Sequence, residues 1–130
     1  MLTKWMMSLS AATMAALGLV ASFLPQEIVA RAGGTGSGLA VLLVQVAGGL
    51  YLGFAMLSWS VRDMIVGGIY NRPVVLGNLL HFTSAGLALA RGVTGGERQV
   101  GLIVLTAVYG LFAVWFARAL FHSPTRAAQG

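Results

Sequence analysis

Four windows of the chain are almost continuously apolar, and short polar stretches separate them. Residues 5–24, 39–60 and 73–90 contain no Asp, Glu, Lys or Arg, and residues 100–121 contain only Arg118. A helix needs roughly 20 such residues to cross about 30 Å of hydrocarbon. The pattern predicts an all-α fold: a four-transmembrane-helix bundle with short loops, forming one integral membrane domain over residues 1–130. A β-barrel is not expected, because these runs do not alternate with period two.

Composition strengthens this reading. Of 130 residues, 58% are hydrophobic and only 8% are charged, against roughly 25% charged in a soluble domain. The absence of cysteine excludes disulfides, thiolate metal sites and thiol nucleophiles. The net charge of +5 comes from basic residues spread singly over the loops and ends. They form no basic face for nucleic acid and are expected to set topology and meet lipid headgroups. Lys4 ahead of an apolar run, with Ala30-Arg31-Ala32 behind it, imitates a secretory signal. The run is longer than the roughly 7–15 residues of a signal core, so it is read as a span.

Punctuation and small residues refine the picture. The first window is rich in Ala11, Ala12, Ala15, Ala16 and Gly18, residues that let helix backbones approach closely in lipid. Residues 33–38 read as a flexible connection; they lack the Lys-Ser/Thr of a phosphate-binding loop. Gly49 and Gly53 form a GxxxG expected to serve a close helix crossing. Gln45 is the strongly polar residue of the same window, and an interhelical hydrogen bond is its expected use. Met64, Ile65, Val66 and Ile69 make the second loop amphipathic, suited to a membrane surface. Pro73 suits a first helical turn, and Pro124 a helix stop. Thr106, Gly110, Ala113 and Ala117 recur at helical spacing and suggest a small-residue packing face on the last helix.

Loop charge sets the expected orientation. Lys4, Arg62, Arg72, Arg118 and Arg126 fall on one side of a four-span layout, and Arg31, Arg91 and Arg98 on the other. The side richer in Lys and Arg is the cytoplasmic one, so both termini are expected there.

Polar residues inside spans are the candidate chemistry. Asn78 and His81 are three apart and share a helix face, which Ser84, Ala85 and Ala88 extend. His81 lies about 12 Å beyond Pro73 along a helix. Trp59, Tyr70, Arg72 and Arg118 are expected near the same membrane level, and together with Asn78 and His81 they are the candidate ligand-binding residues. For His81 four uses stay open: a packing hydrogen bond, a lining group for a small molecule, quinone or lipid headgroup, a proton relay, and a haem or metal ligand. The last lacks partners, since the other histidine, His122, sits at a different depth. Arg118 suits snorkelling to phosphate, pairing with Asp63 or an anionic ligand. Asp63 reads as a surface partner or helix cap before a general base. No carboxylate lies within a window, and there is no metalloprotease motif or nucleophile-base-acid arrangement. Neither catalysis nor a cofactor is expected.

One stretch carries a resemblance. Trp59 with Arg62, then Gly67-Gly68-Ile69-Tyr70-Asn71-Arg72-Pro73, then Gly77-Asn78 and His81-Phe82, resembles the W-x-x-R/K … GGIYxRP … GNxxHF signature of a family of small four-helix bacterial membrane proteins of unknown function. The resemblance implies that this turn and helix start are shared within the family; it implies no activity, cofactor or substrate. The combined expectation is a non-enzymatic membrane protein that binds a lipid, a quinone or a partner protein in the cytoplasmic half of its bundle. The alternatives are a small oligomeric transporter or channel, and an accessory subunit of a larger membrane complex. Expected partners are membrane lipid, a second copy or such a complex, and no nucleic acid.

Overall fold

A computed structural model describes residues 2–34, 37–64, 68–96 and 99–122. The fold is all-α, with helices α1 (Leu2–Phe23), α2 (Pro25–Arg31), α3 (Gly38–Ser60), α4 (Asn71–Thr94) and α5 (Val100–His122). Of these, α1, α3, α4 and α5 are long and apolar enough to cross a membrane, which supports a multi-pass membrane protein. The chain divides into two compact units, residues 7–62 and residues 1–6 with 63–130.

In the first unit, α1 presents the buried stripe Met7, Ala11, Met14, Gly18 and Ala21, spaced by three and four so that it stays on one side of the helix. The α3 residues Gly48, Ala55 and Ser58 are buried. The two helices meet at Gly18 and Gly48. A Cβ on Gly48 would lie 2.8 Å from the Ser22 backbone nitrogen and 3.0 Å from the Gly18 carbonyl oxygen. Only glycine tolerates that approach. The close crossing therefore uses Gly48 and not the expected Gly49–Gly53 pair. Gly49 and Gly53 have nothing within 4 Å among the described residues, because one step along a helix turns the side chain by about 100°.

Residues 24–34, between α1 and α3, include a short helix and a defined turn. Pro25 occupies the first turn of α2, where no intrahelical N–H is needed. Pro25 and Val29 are buried, and α2 packs on α3. The helix stops at Gly33, whose φ of +77° is left-handed, while the Gly34 N–H returns to the Val29 carbonyl at 3.0 Å. This is the usual glycine termination. Ser37 then caps α3, its Oγ accepting from the Ala40 N–H at 3.3 Å.

In the second unit, α4 and α5 form an antiparallel hairpin. Helix α4 starts two residues before the expected Pro73, which takes an ordinary first-turn place. The Asn71 Nδ2 donates to the Met64 carbonyl at 3.0 Å and so ties the approach to the helix start. Helix α4 also continues to Thr94, four residues past the expected end, because its first breaker is Gly95-Gly96. Val75, Asn78 and Phe82 on α4 and Tyr109, Phe112 and Phe116 on α5 are buried. Phe82 is the centre of an aromatic cluster, with its ring 5.1 Å from Tyr109, 4.9 Å from Phe112 and 5.7 Å from Phe116. The buried face of α5 in this hairpin is thus aromatic: Tyr109, Phe112 and Phe116 are buried, whereas of the expected small-residue face Thr106, Ala113 and Ala117 are half-buried and Gly110 is exposed. Lys4 reaches Asp63 at 2.7 Å, so Asp63 is a surface ion-pair partner. Thr35, Gly36, Ile65, Val66, Gly67, Arg98, Pro124 and Arg126, which entered the sequence-based expectations, lie outside the described residues.

Candidate functional site

Helix α4 carries the polar candidates Asn78 and His81, and the structure gives them different environments. Asn78 is fully buried. Its Nδ2 donates to the Val74 carbonyl at 2.9 Å, one turn back along its own helix. That bond engages one of the two amide N–H donors at a depth where an unmade bond is costly. Asn78 is seated between Val75 and Phe82 on the buried stripe.

His81 stands at the edge of that stripe and is half-buried. Its Nε2 lies 3.4 Å from the Tyr109 hydroxyl, and the ring centroids are 5.5 Å apart. Donor and acceptor depend on the imidazole tautomer. The ring also meets Phe82 edge-on at 5.2 Å. Two amphoteric groups, an imidazole and a phenol, thus sit together inside a span, on an aromatic floor. The pair can both give and accept a hydrogen bond.

Tyr70, Arg72 and Arg118 do not converge on this pair. Tyr70 is 75% exposed just before α4, and Arg72 is exposed in its first turn. Arg72 is nine residues from His81, about 14 Å along the axis. Arg118 is exposed on α5. It follows Phe116 by two residues, about 200° around the helix, and therefore projects away from α4. Trp59 belongs to the other unit, where the Arg62 guanidinium stands 3.8 Å over its ring. Ser84 and Ala88 are exposed, so they do not extend the Asn78 stripe. Gly86 does: a Cβ there would rest 3.6 Å from the Tyr109 Cβ.

Tyr109 is the residue that sequence reasoning missed. The signal was present in the spacing of Tyr109, Phe112 and Phe116, but it competes with small residues interleaved on the same helix. Among the described residues, no group of three His, Asp or Glu comes together as a metal site would require. No family model matches the chain, and neither does any curated protein or solved structure.

Proposed function

We propose that this is a non-enzymatic integral protein of the bacterial inner membrane that binds a lipid or quinone headgroup at the His81–Tyr109 pair. The observation that carries the reading is that pair: two hydrogen-bonding rings, 3.4 Å apart, on a half-buried position of a helix long enough to span the membrane. Polar groups at such depth are costly and are usually held for packing or function. Asn78 lies deeper, fully buried and bonded to the Val74 carbonyl of its own helix. His81, at the hairpin's edge, is placed where a carbonyl or hydroxyl of a membrane molecule can meet it. Arg72 and Tyr70 would contribute at the headgroup level of the same hairpin, and Arg118 would snorkel on its outer side. Both termini are assigned to the cytoplasm by the excess of Lys4, Arg62, Arg72, Arg118 and Arg126 over Arg31, Arg91 and Arg98.

Native mass spectrometry of protein extracted gently from its own membrane tests this. A small molecule retained by the wild type and lost from His81→Ala and Tyr109→Phe supports the reading. Identical bare chains in all three would reject it.

A second reading is favoured by α3. Gln45 is exposed in the apolar helix and shares a face with the open Gly49 and Gly53. Glutamine and small residues are common at helix–helix contacts in lipid. They support an oligomeric transporter or an accessory subunit of a membrane complex. Oligomeric state in mild detergent, for wild type and Gly49→Val, separates the two readings.

A further inference from the structure

Helix α3 carries an amide inside its apolar span. Gln45 lies seven residues from the start of α3, about 10 Å along the helix, and so within the hydrocarbon when α3 crosses it. Its side chain is exposed and has no hydrogen-bond partner among the described residues. Glutamine lacks the long stem by which lysine or arginine reaches the headgroups, and a carboxamide left unbonded in an apolar medium is costly. Counted from the same membrane face, the other spans offer Ala16, Leu87 and Ala107 at this level. Thr106, one residue away, already donates its hydroxyl to the Leu102 carbonyl at 2.7 Å.

The neighbours of Gln45 suit a second helix. Leu42, Gly49, Gly53 and Met56 lie with it inside an arc of about 80°, and all are exposed. A Cβ on Gly49 or Gly53 would meet nothing within 4 Å among the described residues, so another backbone can come close there. The face is turned away from Gly48, where α1 crosses, and it carries no charge by which like chains would repel. Depth then selects the partner. A second copy inserted in the same orientation brings its own Gln45 to the same level. A carboxamide both donates and accepts, so two of them pair reciprocally across a two-fold axis.

We propose that α3 pairs in parallel with α3 of a second copy of this chain, about an axis along the membrane normal, with the two Gln45 carboxamides hydrogen-bonded to each other. This rests on the oligomeric reading drawn from α3 and names the partner as a like copy.

The absence of native cysteine makes the pairing testable in the full chain. In native membranes treated with an oxidant, Leu42→Cys and Met56→Cys should give disulfide-linked dimers. Leu43→Cys, similarly exposed but turned about 100° from Leu42, should not. In liposomes, Förster transfer between copies labelled at Thr3→Cys reads dimerisation against the protein-to-lipid ratio. Gln45→Leu should raise the dissociation midpoint about tenfold, in the range of interhelical hydrogen bonds in model spans, with helicity unchanged. Gln45→Asn keeps the amide and should fall between wild type and Gln45→Leu. An unchanged midpoint in Gln45→Leu, or crosslinking at Leu43→Cys equal to that at Leu42→Cys, would overturn the proposal. Monomers throughout would overturn it too. Co-purification then distinguishes the two failures: a different membrane protein bound to the monomer leaves the accessory-subunit reading standing, and a bare monomer ends both.

Discussion

Two glycines one position apart behave oppositely, and the contrast is measurable. Gly48 faces the Gly18 and Ser22 backbone at van der Waals limits, whereas Gly49 faces open space among the described residues. Gly48→Val should destabilise the fold by about 1–3 kcal/mol, the usual range for overpacking. Gly49→Val should stay within about 0.5 kcal/mol. Unfolding in mixed detergent reads both, and equal effects would contradict the α1–α3 crossing. The sequence announces a close crossing on α3 but not its register, because both glycines fit a small-residue motif and only the partner helix chooses between them. A similar ambiguity hid Tyr109. Tyr109→Phe removes one hydroxyl and leaves the ring that Phe82 packs on, at 5.1 Å. Its stability cost should be small, about 0.6 kcal/mol, as for hydrogen bonds between membrane helices. A loss of several kcal/mol would make the His81–Tyr109 pair a structural keystone rather than a binding element.

At the scale of elements, the four apolar helices were legible because a span is a long, simple signal. Their ends were less so. Helix α4 begins at Asn71 and ends at Thr94 because a proline is tolerated through the first turn, and because Arg91 does not stop a helix whereas Gly95-Gly96 does. The short helix α2 was hidden behind Pro25 and two charges, although a proline, an early acid and a late base are themselves helix punctuation. Ser37 was read as part of a flexible linker and is in fact the α3 cap. Ser37→Ala should therefore cost about 1 kcal/mol, seen as a lower unfolding midpoint. No change would show that the α3 terminus is not held by this cap. The α4–α5 hairpin should depend most on Phe82, whose ring meets those of Tyr109, Phe112 and Phe116. Phe82→Ala is expected to cost about 2 kcal/mol or more, since each aromatic pair contributes roughly 0.5–1.5 kcal/mol.

At the scale of the whole molecule, the absence of native cysteine makes topology directly testable. Single cysteines at Thr3 and Tyr70 should react with an impermeant reagent from the cytoplasmic face, and those at Ala32 and Gln99 from the opposite face. The reverse pattern would invert the orientation without touching the fold. The candidate site was only partly legible at this scale. Asn78 and His81 were visible as polar residues inside a span, but sequence distance along a helix says nothing about which side a residue faces. Arg118 and His81 can share a membrane level and still point apart. The most direct test of the binding claim uses the chain's two histidines, since His122 at the end of α5 serves as an internal control. Nitrogen-15 spectra of histidine-labelled protein in nanodiscs would be recorded before and after addition of native lipid extract. The account predicts that the His81 ring signals move while those of His122 stay, and that Tyr109→Phe weakens the response. His81 signals indifferent to the extract would return the pair to packing and contradict the proposed function.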